Sequence, residues 1–261
     1  MKWLERQRIR YTLRHHPIPH EAWQSLMREA DIFSGLSSVE RAHLRELTTL
    51  FLHRKRFSGS QGLVVSTEMA LVVAAQACLL ILNLGLDYYD GWVEIVIYPD
   101  AFQVERDSLD EAGLVSHQQQ TLSGESWSRG PVIISWGDVA ASLAGLHRGH
   151  NLVVHEFAHK LDMLNGSANG MPPLHADMFR QQWTEVLSEA FDHLQQQLAH
   201  HHCPGINAYA ATAPAEFFAV VSEYFFTNPQ LLRHQSAAVY DQLVLFYRQN
   251  PAKRQSEFAS G

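Results

Sequence analysis

Residues 153–162 read VVHEFAHKLD, with two histidines four apart and a glutamate directly after the first. On an α-helix positions i and i+4 share a face, so His155 and His159 can offer two imidazoles to one metal ion. Glu156 lies about 100° further round the helix. From there it can take the proton of an attacking water without binding the metal itself, the division of labour in HExxH hydrolases. Leu152, Val153, Phe157, Leu161 and Leu164 supply an apolar face. The helix is therefore expected to be buried, and buried histidines need partners. Asp162, three residues after His159 and seven after His155, has two readings. It orients an imidazole N–H, or it is a solvated helix-end charge.

A catalytic zinc site needs a third protein ligand and an open position. The HExxHxxGxxH pattern does not fit, because Asp162-Met163-Leu164-Asn165 follows and Gly166 is misplaced. A later segment, APAEFFAVVSEYFF (213–226), offers Glu216 and Glu223 seven apart, on one helical face. Pro214 suits the start of that helix, where its missing N–H costs nothing. The surrounding aromatics bury the segment, and a buried carboxylate needs a strong partner. A zinc ion is one such partner; an arginine or backbone N–H groups are the alternative.

The remaining chain sets the frame. Its 261 residues allow one large domain or two small ones, and 46% apolar content is enough for a sizeable core. A formal charge of −7 and a pI near 6.1 argue against direct binding of nucleic acid by bulk charge. Cys78 lies in an apolar run and Cys203 in a polar loop, which suggests neither a disulfide framework nor a thiolate metal site. The basic start MKWLERQRIRYTLRHHPIPH has no apolar stretch behind it and does not read as a secretory leader. The longest apolar run, Met69 to Leu82, is too short to cross a bilayer and fits a buried core helix. A soluble cytoplasmic protein without membrane association is the expectation.

Helices are expected over SSVERAHLRELTTLFLHRK (37–55), capped by Ser37 or Ser38, and over Leu71–Leu82. WVEIVIYP (92–99) and PVIISW (131–136) read as strands, separated by a long polar loop or hairpin that contains His117. GDVAASLAGL starts a short helix, and Gly149 breaks the chain before the helix of the opening motif. Further helices are expected over 176–199, 214–226 and 236–249, with Pro229 ending the second of these and a frayed tail from Pro251. The fold class is therefore α+β, mainly helical with a small sheet. A helical N-terminal region, 1–90, is expected to pack on a core spanning 91–261 as one continuous unit. The histidines at 15, 16 and 20 and at 200–202 lack helical register and read as surface residues.

HEFAHKLD, then Tyr209, then AEFFAVVSEYFF resembles the Mlc titration factor A family over nearly the whole chain, including SGESWSRGPVIISW (123–136). The shorter pairing of HEFxHxxD with Y-x6-EFFA is similar to the catalytic domain of anthrax lethal factor, within the zinc-binding core alone. The resemblance implies a zincin-like, gluzincin core holding one Zn2+. His155, His159 and Glu216 would be its ligands, Glu156 the catalytic base, and Tyr209 the donor to the developing oxyanion. Glu223 then becomes a supporting residue. The family also resembles a self-blocked peptidase in which an upstream loop histidine completes the metal site; His117 is the match.

Two functions follow from the likeness. The first is a zinc metallopeptidase, an aminopeptidase acting on short peptides, with residues 121–136 as a candidate strand for pairing with substrate backbone. The second is capture of the repressor Mlc, preventing its DNA binding and so modulating expression of the glucose phosphotransferase system. A non-catalytic anti-repressor with a structural or resting zinc is the alternative to the enzyme.

Overall fold

The computed structural model describes residues 2–100, 130–145 and 149–259. The chain opens with α1 (Lys2–His15), α2 (His20–Glu29) and α3 (Ser38–Arg54), then β1 (Arg56–Gly59) and α4 (Thr67–Leu80). Strands β2 (Glu94–Tyr98) and β3 (Val132–Ser135) follow, and α5 (Trp136–Leu143) starts directly from β3. Next come α6 (Leu152–Asp162), α7 (Arg180–Ala199), α8 (Pro214–Thr227), α9 (Pro229–Gln235), α10 (Ala237–Tyr247) and α11 (Pro251–Ala259). The α+β expectation therefore holds, with helix predominant. No helix among the described residues is long and apolar enough to cross a membrane.

Many boundaries have plain local causes. Ser37 and Glu40 form a capping box at the start of α3, each satisfying the other's backbone N–H. The expected stop at Pro229 is also a start. Asn228 breaks α8, and proline occupies the first turn of α9, where no N–H is needed. Gly149 has φ +89, and a Cβ there would collide with the Tyr224 ring, so the break before α6 requires glycine.

The sheet is small and parallel, in the order β1-β2-β3. Ile95 and Ile97 of the central strand are fully buried, paired with Val132 and Ile134 of β3. β1 is an addition to the two strands expected from sequence. RFSG has one apolar residue and no alternation, and its pairing with β2, Phe57 opposite Ile95, comes from tertiary context. The tail is a second correction. Residues from Pro251 form a helix because Arg254 bonds Glu40 (3.3 Å) and Gln249 (3.2 Å), and the Ala252 N–H donates to the Tyr240 hydroxyl. The loop containing His117 lies outside the described residues, as do 121–129 of the candidate substrate-pairing strand.

Helix α6 sits at the centre, packed on α8, α4 and β3. Val153, Val154, Phe157, Ala158 and Leu161 turn into the core. Phe157 meets the rings of Phe51, Tyr89 and Trp92 at centroid distances of 5.8, 5.1 and 5.8 Å. Burial of such a ring contributes roughly 1.5–3 kcal/mol, and each aromatic pair about 0.5–1.5 more. This cluster anchors one face of α6, leaving the histidine face toward α8. Leu164, assigned by pattern to the apolar face, instead lies in the 3-10 turn Met163–Asn165 beyond the helix end and is exposed.

Asn151 sets where α6 begins. Its side-chain oxygen accepts the Val154 N–H (3.0 Å), and its amide donates to buried Gln76 on α4 (2.7 Å). Asn151→Ala is expected to cost about 1–2 kcal/mol, combining a lost N-cap with an unsatisfied Gln76. Equilibrium denaturation checks this; an unchanged midpoint would contradict it.

Candidate metal centre

The opening motif and the later apolar helix that carries Glu216 and Glu223 converge. Parallel burial of α6 and α8 brings His155 Nε2, His159 Nε2 and Glu216 Oε2 into a triangle with sides of 3.2, 3.1 and 3.4 Å. The triangle itself argues for a cation. Ligand atoms about 2.05 Å from a tetrahedral ion lie about 3.3 Å apart, which matches all three sides. Glu216 Oε2 is buried yet accepts no hydrogen bond of usable angle, despite its short distance to both imidazoles. The residues present therefore fit a metal ion. Among the described residues this is the group of three or more His, Cys, Asp or Glu side chains placed to hold one.

Charge at the site is arranged for a cation. Burial works against a charged His155, but Glu216 and Glu223 outweigh it and push its pKa up to about 10. Burial raises Glu216, yet the close approach of the His155 and His159 imidazoles prevails and holds it down at about 2. In metal-free protein at neutral pH His155 thus carries a proton that metal uptake must displace. Affinity is expected to rise about tenfold per pH unit through the neutral range, with one proton released. Chelator competition, corrected for the chelator's own ionisation, checks this; a pH-independent affinity would contradict it.

Glu156 sits beside the triangle, half-buried, with its carboxyl pKa raised by burial against the lowering pull of His155 and His159. Tyr209 comes from the 3-10 turn Ala208–Ala211, where Asn207 caps its N–H at 3.0 Å. Its ring centroid is 6.1 Å from that of His155. Burial, then the Glu216 and Glu156 charges, push its phenol well above the usual range, so it stays protonated and able to donate.

The supporting residues are partly a correction. Glu223, not Asp162, holds an imidazole: its Oε1 lies 2.8 Å from His155 Nδ1. A carboxylate there keeps the proton on Nδ1 and leaves Nε2 free for a metal. Asp162 fits neither of its two readings as stated. It is fully buried, and Oδ2 accepts the backbone N–H groups of Asn169 (2.8 Å) and Gly170 (2.7 Å). Gly170, at φ +78, packs so closely on the Pro214 carbonyl that a Cβ could not fit. Asp162 thereby ties the end of α6 to the first turn of α8, two residues before Glu216. The Asn151 N–H also reaches Glu223, at 2.5 Å, and so does His150. Asn151 is legible as an N-cap before an apolar run; His150 carries no comparable signal. His117 lies outside the described residues, so its place relative to this site is not part of the geometry.

An HExxH helix facing a carboxylate from a second buried helix is the arrangement of a metallohydrolase. Comparison with known proteins agrees: the chain belongs to the glucose-regulated metallo-peptidase M90 family, whose sequence profile matches residues 1–248. It is 41% identical over 225 residues to a protein of Salmonella arizonae named Mlc titration factor A, covering 84% of this chain and 88% of the relative. It is 40% identical over 226 residues to the protein of the same name from Yersinia pestis, covering 85% and 83%. An uncharacterized protein of Synechocystis is 37% identical over 253 residues, 96% of this chain and 90% of its own.

Proposed function

We propose that this chain is a zinc-dependent aminopeptidase acting on short peptides in the cytoplasm, and that it also captures an Mlc-type repressor. The observation that carries the enzymatic reading is the His155–His159–Glu216 triangle beside Glu156. Residues 1–90 and 91–261 are read as one continuous unit of gluzincin type, because β1 from the first part hydrogen-bonds β2 of the second.

Bound zinc would polarise a substrate carbonyl and acidify water. The protein's own groups supply the rest. Glu223 holds His155 in the required tautomer. Glu156 takes the proton of the attacking water, and its raised pKa suits it to return that proton to the departing amine. Tyr209 donates its phenol hydrogen to the oxygen on which charge develops. β3, whose one exposed side chain is Ile133, is read as the strand against which substrate backbone can align.

Repressor capture is supported by the name shared by the Salmonella and Yersinia relatives. Zinc content measured together with hydrolysis of chromogenic amino-acid substrates tests the enzymatic reading. About one zinc per chain with turnover is expected; zinc without turnover of any such substrate points to the non-catalytic anti-repressor.

A further inference from the structure

The carboxylate behind His155 has a second imidazole on its other side. Glu223 is 1% exposed, and it is reached by three donors. His155 Nδ1 lies 2.8 Å from Oε1, while the Asn151 N–H (2.5 Å) and His150 Nδ1 (2.7 Å) both address Oε2. The His150 side chain is 41% exposed, so a continuous line of contacts runs from the protein surface through Glu223 to a proposed metal ligand. Its position is tightly set. Gly149 before it packs against Tyr224, and Asn151 after it caps α6 and bonds Gln76.

We propose that His150 is a positioning residue for the metal centre: by donating to Oε2 it fixes the rotation of the Glu223 carboxylate, so that Oε1 faces His155 Nδ1. This rests on the metal-site reading above. A carboxylate can turn about its last bond, and the Asn151 N–H alone holds one oxygen at one point. Two donors on Oε2 leave Oε1 a single direction, toward the imidazole. Partners of this outer kind typically change metal affinity about 10–100-fold, although they never touch the ion. His150 is the unusual member because it stands at the surface, outside the HExxH motif and before the helix begins.

The test is zinc affinity by chelator competition, with the thermal midpoint of the metal-free protein measured in parallel. His150→Ala should weaken zinc about tenfold. His150→Asn, whose amide nitrogen can occupy the place of Nδ1, should return affinity to within about threefold of the parent. On a Glu223→Gln background His150→Ala should add little, because the two act as one unit. The metal-free midpoint should not move with the affinity. Unchanged affinity in His150→Ala, failure of the asparagine to rescue, or full additivity with Glu223→Gln each overturns the proposal. If the parent protein itself binds no zinc, the metal-site reading fails and takes this inference with it; parent binding with an indifferent His150 sinks the inference alone.

Discussion

Glu156→Gln is expected to lower kcat/KM about 10²–10⁴-fold while zinc stays bound at close to parental affinity. Glutamine preserves the shape and most contacts of the side chain, but an amide cannot take a proton from water at neutral pH. The loss corresponds to roughly 3–5 kcal/mol of transition-state stabilisation. Glu156 is not a corner of the triangle formed by His155, His159 and Glu216, so the metal should be nearly indifferent to the change. Repressor capture, if it uses another surface, should survive as well. Steady-state kinetics, zinc content and a pull-down with purified repressor on the same preparation check all three outcomes. Retained hydrolysis would mean another base; loss of capture with zinc intact would mean the two functions share this site.

Glu216→Ala is expected to act on the metal. It removes the single carboxylate of the triangle and leaves two imidazoles 3.2 Å apart. Zinc affinity should fall by more than about 100-fold, beyond the range expected for residues that only support a ligand. The same change removes a principal contact that raises the His155 pKa, so the proton released on metal uptake at neutral pH should diminish. Calorimetry in two buffers of different ionisation enthalpy reads affinity and proton release together. Near-parental zinc affinity in this variant would place the third ligand elsewhere in the chain.

The parts of this site that were legible in sequence are those fixed by helical spacing. His155 and His159 lie one turn apart, and Glu216 begins a strongly apolar helix after Pro214, so local pattern and tertiary placement agree. The helices over 37–55, 71–82, 176–199, 214–226 and 236–249 are legible for the same reason, and of the two cap candidates, Ser37 and Ser38, the structure selects Ser37. What failed did so for tertiary reasons. β1 is four residues long with one apolar side chain, and it exists because β2 offers it a ladder. The last helix looks frayed in sequence because the partners of Arg254, Glu40 and Gln249, carry no local signal. Helical spacing offers Asp162 an imidazole on its own helix or solvent, but its partners are backbone groups on the following loop. His150 was invisible because its role depends on a carboxylate 73 positions later, brought near only by the packing of α6 on α8.

X-ray absorption spectroscopy on zinc-loaded protein reads the metal's ligands themselves. The imidazole nitrogens of His155 and His159 are expected at about 2.0–2.1 Å together with a carboxylate oxygen, a further imidazole marking His117 in the shell, and Glu216→Ala should lose stoichiometric zinc. A sulfur in the shell, or an unchanged spectrum in Glu216→Ala, would contradict this ligand set.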